Sequence, residues 1–427
     1  MENITINKVC TVGLGYIGLP TAAILAANEI EVIGVDTNPQ IVSTINDGRI
    51  HIVEPDLDKL VLKCVKTGKL RAVLAPEEAD AFIIAVPTPV ADKTREPDLS
   101  YIHAAAITIA RVLKPGNLVV LESTSPVGTT EQLIQWLAAE RKDLKFPGSN
   151  NDSLDINIAY CPERVLPGNV IHELVYNDRI IGGMTNECSK QAVSLYQKFV
   201  QAKCHIASNP RVAEMAKLTE NSYRDVNIAF ANELSMISEK LNIDVWELIN
   251  LANEHPRVSI LKPGAGVGGH CIAVDPWFII NSAPDETQLI QTARNVNDYK
   301  PLWILKNVNT LIDQYLAEHQ NKSATELTVA FYGIAFKPDI DDLRESPAKH
   351  IVAEFMNIFS GSIIVVEPNI EKLPANLITA DLLHYHDAKQ KADIHVILVA
   401  HAEFQINKFD QKKYVFDAVG LTSGIDK

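Results

Sequence analysis

Apolar residues along this chain fall into two alternating patterns. Short continuous runs occur at "KVCTVGL" (8–14), "EVIGVD" (31–36), "AFIIAVPTP" (81–89) and "NLVVLESTSP" (117–126). Their length and their Gly, Pro or polar boundaries predict buried strands. Between them lie longer stretches with helical character, such as the small-residue run "PTAAILAAN" (20–28). Strands regularly separated by helices predict βαβ units and a parallel sheet.

The pattern changes at Arg211. From there to Leu241 the chain has no Gly or Pro and is apolar on most faces, which predicts one long buried helix. Further helical sequence follows at "DVWELINLAN" (244–253) and over 287–319, and "QNKSATE" (320–326) reads as a linker. Strand patterns then return at "LTVAFYGIAFKP" (327–338), "SIIVVEP" (362–368) and "IHVILVA" (394–400). The expected organisation is an α/β domain over 1–205, an all-helical region over 206–310 and a second α/β domain over 322–427.

Composition narrows the function. A chain of 427 residues exceeds one ordinary core. The 47% hydrophobic and 22% charged content is that of a soluble globular protein. A net charge of −14 argues against nucleic acid or an anionic membrane as partner, while leaving a phosphorylated small molecule open. No apolar run approaches the roughly 20 residues that span a bilayer, and the first residues lack the secretory order of basic, apolar and cleavable segments. Six scattered cysteines without a C-x-x-C pair point to reduced thiols in the cytoplasm. Twelve histidines without H-E-x-x-H spacing predict no metal.

The first strand runs into "VGLGYIG", with Gly13, Gly15 and Gly18 in G-x-G-x-x-G spacing before a helix. Gly13 allows the tight turn, Gly15 lets backbone approach a pyrophosphate, and Gly18 permits close helix packing. Tyr16 and Ile17 complete this turn at the helix N-terminus, where free N–H groups take a phosphate. Asp36 ends the next strand, 18 residues after Gly18, and suits a ribose hydroxyl better than a 2′-phosphate. These residues predict NAD binding on a Rossmann-like sheet. Thr88, Thr124 and Thr130 end later strands, where they either line the ligand crevice or cap helices.

The stretch "PGAGVGGHCIAVDP" (263–276) surrounds Cys271 with glycines. Cysteine is most often a small buried hydrophobe. Beside an NAD site, a thiolate instead suggests aldehyde oxidation, in which sulfur adds to the aldehyde, hydride leaves and water cleaves the thioester. Lys217 and Asn221 are helical i,i+4 neighbours, with Arg224 at i+7 on the same face. A part-buried Lys217 exchanges protons or stabilises an oxyanion with Asn221; otherwise it is a solvated charge. "CPERVLPG" (161–168) reads as a surface loop in which Glu163 and Arg164 pair. Asp275 either orients water or caps a helix. Lys337 and Arg344 are phosphate or carboxylate partners, or part of a solvated loop.

In order, "GLGYIG", "PTP", "ESTSPVGTT", "CPERVLPG", "KLTENSYRD", "GVGGHCIAVDP" and "GIAFKPDIDDLRESP" make the chain resemble the UDP-glucose/GDP-mannose dehydrogenase family along essentially its whole length. The details are most like the branch that acts on UDP-N-acetyl-D-mannosamine. The resemblance implies two NAD-dependent oxidations of a sugar's primary alcohol to a uronic acid. It makes Cys271 the nucleophile and Lys217 the acid/base or oxyanion residue, helped by Asn221. Glu163 and Asp275 then handle water and protons. Arg164, Val165, Arg224, His255, Arg257, Gly268 and Lys337 fall at nucleotide-sugar contacts, and Arg344 at an NAD contact. The third domain becomes UDP-binding, and the middle helices a homodimer interface across which "NEHPRV" reaches the neighbouring site. Val274 before Asp275 departs from the Lys-Asp pair usual in UDP-glucose enzymes, which weakens the glucose reading. A single-oxidation dehydrogenase, the first rival, needs no covalent cysteine. A non-catalytic NAD- or nucleotide-sugar-binding protein, the second, needs none of Lys217, Asn221 and Cys271.

Overall fold

The computed structural model describes residues 6–91, 94–148, 154–166, 168–269, 271–406 and 414–422. Two compact units divide the chain. One runs to Glu220 and takes in Trp277–Pro284; the other holds Asn221–Pro276 and the chain from Asp285 onward.

The first unit is built on β1 (Lys8–Val12), β2 (Glu31–Val35), β3 (Leu70–Val73), β4 (Ala81–Ile84), β5 (Leu118–Leu121), β6 (Asn157–Tyr160), β7 (Arg179–Gly183) and β8 (Cys204–Ile206). They form one sheet in the order β3-β2-β1-β4-β5-β6-β7-β8. All pairings are parallel except β6 with β7, where Ala159 faces Gly183. The expected mostly parallel sheet is therefore present. Its central strands are apolar throughout because both faces are covered. Val9, Val32, Ile83 and Val120 face one core, while Cys10, Ile33, Phe82 and Leu121 face the other.

Helices α1 (Gly18–Ala27), α2 (Pro39–Asn46), α3 (Leu57–Lys66), α4 (Ser100–Ala110), α5 (Thr129–Glu140), α6 (Val170–Tyr176) and α7 (Asn186–Tyr196) make the connections. α1 is buried from Gly18 to Ala26, and its small side chains let it lie close to the sheet. Order reverses between β1 and β4, so the carboxyl ends of these two strands frame the ligand crevice expected of such a sheet.

α8 (Pro210–Lys240) is one 31-residue helix, about 46 Å long at 1.5 Å per residue, and the unit boundary falls within it. α9 (Val245–Asn253), α10 (Asp275–Ser282) and α11 (Gln288–Glu318) follow. The expectation of an all-round buried α8 is corrected. Tyr223, Phe230 and Ile237, seven residues apart, are 71%, 51% and 46% exposed, so one apolar stripe lacks cover among the described residues. The expected linker is also partly ordered, with Ser323 and Glu326 closing a capping box.

The second unit carries β9 (Thr328–Tyr332), β10 (Ser362–Val366), β11 (Asp381–Leu382), β12 (Ile394–Ile397) and β13 (Val415–Asp417), with α12 (Pro347–Ile358) among its helices. Its sheet is wholly parallel, in the order β11-β10-β9-β12-β13. The start repeats the first unit: a strand, a left-handed glycine (Gly333, φ 85°), and an acid, Glu367, directly after the second strand.

Candidate active site

In the first unit the dinucleotide turn has the geometry its sequence predicts. Gly13 sits at φ 93°, and a Cβ there would meet the Ala85 carbonyl oxygen at 2.5 Å. A Cβ on Gly18 would fall 1.8 Å from the Gly13 carbonyl oxygen, so that glycine permits α1 to pack. At Gly15 an added Cβ would meet nothing within 4 Å, which leaves room for a ligand rather than for protein. α1 has no side-chain cap and no acid in its first turn, and Tyr16 and Ile17 precede it. Its leading N–H groups therefore suit a phosphate. Asp36 accepts from the Leu14 N–H at 3.2 Å and the Asn38 N–H at 2.9 Å, and its remaining lone pairs suit a ribose diol. These residues fit a bound NAD.

The threonines behave differently. Thr88 donates its hydroxyl to the Thr124 carbonyl at 2.5 Å, which ties the two strand ends together. Thr130 is buried and donates to Glu214 on α8 at 2.6 Å. Glu214 also accepts from the Gly128 and Thr130 N–H groups, so a carboxylate already fills the start of α5. Burial pushes the Glu214 carboxyl up, against those hydrogen bonds. Sequence reasoning missed Glu214, whose partners lie more than 80 residues away.

"CPERVLPG" is not the surface ion pair that its composition suggests. Glu163 is buried and bound by Arg179, Nη1 to Oε2 at 2.8 Å. Arg164 instead forks onto Glu220 of α8, at 3.0 and 2.6 Å, and donates to the Asp178 carbonyl. Val165 packs against the apolar core beside it. Lys217, one turn before Glu220, is 8% exposed, and its ammonium makes no hydrogen bond or ion pair among the described residues. A buried, unengaged cation is costly unless a ligand completes it.

The second unit holds the cysteine. Of the six thiols, Cys271 is exposed, whereas Cys10, Cys64, Cys161 and Cys188 are buried. Burial pushes Cys10 up to about 12, as an inert structural thiol requires. The Cys271 carbonyl accepts from the Asp275 N–H at 2.8 Å, closing a turn into α10. Asp275 is buried and accepts from the Asn221 amide at 2.5 Å. The turn that carries the thiol is thus tied to the α8 face that bears Asn221.

The glycines before the thiol have a bed. A Cβ on Gly268 would meet the Glu345 carbonyl oxygen at 2.4 Å and Pro347 at 2.7 Å. One on Gly266 would meet Pro347 at 3.0 Å, and one on Gly269 would meet Phe336 at 3.1 Å. On its other side the loop is pinned to the helices. Gly264 donates to Asn232, which bonds Asn297, and Asn297 and Arg294 both hold the buried Asp225. The segment 336–347 that beds the loop also carries Lys337 and Arg344, and Arg344 is forked onto Asp342. Arg224, His255 and Arg257 are exposed. His270 lies outside the described residues.

Glu367, the counterpart of Asp36, is fully engaged. It accepts from the Ile334 and Ala335 N–H groups, the Asn369 N–H and side chain, and the buried His401 at 3.1 Å. Burial raises the Glu367 carboxyl, but His401 and these donors outweigh it and hold the carboxyl below its usual range.

A left-handed glycine turn, an acid directly after the second strand and a mostly parallel doubly wound sheet are those of an NAD-dependent dehydrogenase; the second unit, for its part, carries an exposed thiol. The chain belongs to the UDP-glucose/GDP-mannose dehydrogenase family, matching its NAD-binding domain over residues 7–200, its central domain over 211–299 and its UDP-binding domain over 330–423. A UDP-N-acetyl-D-mannosamine dehydrogenase of Campylobacter jejuni is 58% identical, covering 93% of this chain and 96% of its own. An NDP-N-acetyl-D-galactosaminuronic acid dehydrogenase of Ralstonia nicotianae is 56% identical, covering 99% and 97%. Among solved structures, the UDP-D-ManNAc dehydrogenase of Pyrococcus horikoshii superposes with a TM-score of 0.85 at 35% identity, covering 98% of this chain and 96% of that one. The chain is thus an NAD-dependent oxidoreductase of nucleotide sugars. Among the described residues no helix is long and apolar enough to cross a membrane.

Proposed function

We propose that this protein oxidises the primary alcohol of UDP-N-acetyl-D-mannosamine to the carboxylate, as a cytoplasmic homodimer. The observation that carries the reading is the exposed Cys271 on a glycine loop bedded in the UDP-binding unit. One alcohol and one water yield one carboxylate, two hydrides and three protons. NAD, when bound, supplies the acceptor for each hydride in turn. Lys217, entering as the neutral amine, takes the alcohol proton and, as the ammonium so formed, faces the developing oxyanion together with Asn221. Cys271 adds to the aldehyde carbon and holds the sugar until it is a thioester. Glu163 takes a proton from the attacking water, and Asp275 orients Asn221 and the turn bearing the thiol. Arg164, Val165, Arg224, Gly268 and Lys337 bind nucleotide sugar, while Arg344 releases Asp342 to reach the cofactor.

The domains are assigned as 1–205 for NAD, 206–310 for dimerisation and 322–427 for UDP. The exposed stripe of Tyr223, Phe230 and Ile237 supports helix-to-helix pairing between two copies. The exposed His255 and Arg257 then reach the neighbouring subunit's sugar. The Ralstonia relative's name favours a second reading, a galacto-configured substrate.

A panel of UDP-N-acetyl-mannosamine, -galactosamine and -glucosamine and UDP-glucose, incubated with NAD, tests the assignment. The expected result is fastest turnover with the manno sugar at two NADH per acid formed. Cys271→Ala should abolish acid formation. One NADH per product, or acid made by that variant, would refute thioester chemistry.

A further inference from the structure

Behind the turn that carries Glu163 lies a buried charged cluster which the scheme above leaves unused. Arg179 on β7 is 2% exposed; its Nη1 donates to Glu163 at 2.8 Å and stands 3.8 Å from Glu122 Oε1. Glu122, directly after β5, is 1% exposed and accepts from the Tyr196 hydroxyl at 3.1 Å and the Thr21 hydroxyl at 3.3 Å. The guanidinium lies over the Tyr196 and Phe199 rings, 5.1 and 5.9 Å from their centres. Its Nη2 has no hydrogen-bond partner among the described residues. One cation therefore faces two carboxylates. Cys161, Tyr196 and Cys204 are further titratable groups that interact with it, and burial pushes all three up so that they stay neutral. Burial also pushes Glu122 up to about 7, against the pull of Arg179 and with help from Glu163.

We propose that Arg179 and Glu122 are positioning residues for Glu163: the guanidinium fixes its carboxylate, and the charge on Glu122 sets how readily it takes the water's proton. This rests on the reading of Glu163 as the hydrolytic base. When Glu122 is protonated, Arg179 serves Glu163 alone. When Glu122 is ionised, the cation is shared between two carboxylates and the added negative charge draws the water's proton toward the pair. In hydrolysis the water oxygen bonds to the thioester carbon and its proton goes to Glu163. The carbon–sulfur bond then breaks to return the Cys271 thiolate. That step quickens as pH rises through the Glu122 titration, whereas the preceding oxidations do not depend on the pair.

The test uses the full-length enzyme with UDP-N-acetyl-D-mannosamine and NAD, following the NADH burst and acid formation across the neutral pH range. Glu122→Gln matches the protonated acid in shape and charge and so preserves the fold. It should hold acid formation at the low-pH rate throughout and erase the inflection, with the burst and the NAD KM unchanged. Arg179→Lys, which keeps the charge but shifts the contact, should lower kcat for acid formation by about 10²-fold. A Glu122→Gln pH profile matching the wild type overturns the proposal, as does an equal fall of burst and hydrolysis. Glu163→Gln is run alongside. Should it hydrolyse at the wild-type rate, the reading of Glu163 fails and the proposal with it; failure of Glu122→Gln alone overturns only the proposal.

Discussion

A carboxylate at the end of a strand is ambiguous until its oxygens are accounted for. Asp36 has one oxygen on the Leu14 N–H and the other on the Asn38 N–H, so it braces the glycine turn and keeps lone pairs that suit a ribose. Asp36→Ala removes both, and a charged hydrogen bond of this kind is worth about 1.5–3 kcal/mol. NAD affinity should therefore weaken by about 10- to 100-fold, read by titration; an unaltered affinity would contradict the cofactor's placement. This residue was legible because its partners belong to the same βαβ unit. Glu163 was not. Its neighbour Arg164 is the obvious partner on paper, yet it offers the carboxylate only its backbone N–H, at 2.6 Å, while its guanidinium turns to Glu220. Glu163 finds Arg179 sixteen residues on, and Arg164 finds Glu220 fifty-six residues on. Likewise nothing in the spacing of Thr130 announces Glu214.

Among the elements, the loop before Cys271 shows how a glycine run encodes a demand without naming its cause. The clustering marked close backbone approach, but the wall is built from Phe336, Glu345 and Pro347, some seventy residues later. Two of these glycines make a matched experiment. Gly268→Ala would drive a Cβ to 2.4 Å from the Glu345 carbonyl oxygen, whereas Gly264→Ala meets nothing within 4 Å. The first should shift the thiol and lower kcat by about 10²-fold with NAD affinity retained. The second should leave both kcat and stability within about 0.5 kcal/mol of wild type. Equal behaviour of the two variants in steady-state kinetics would mean that the wall does not position the thiol. α8 teaches the converse lesson. Its apolar sequence reads as burial, but the described residues leave Tyr223, Phe230 and Ile237 uncovered, and an uncovered stripe leaves the same signature as a buried one.

For the whole molecule, two mostly parallel α/β sheets and a helical middle followed from periodicity alone, because strand and helix patterns are local. The antiparallel β7 was not foreseen; strand direction depends on a long connection, not on alternation. The exposed stripe on α8 makes its own forecast. Phe230→Glu together with Ile237→Glu should convert the assembly to monomers in light scattering, with loss of turnover; an unchanged mass would refute pairing through this helix. Finally, Glu367 already takes three donors on one oxygen, His401 among them, and two on the other, where Asp36 takes one on each, so the second sheet cannot greet a ribose as the first does. Among the described residues, Asp36 then marks the one such berth for the nicotinamide carrier, although the chemistry consumes two. On the proposed mechanism the spent carrier departs and a fresh one arrives while the half-oxidised sugar waits, moored by its uridine end and its sulfur tether. Aldehyde should accordingly never accumulate in the surrounding solution.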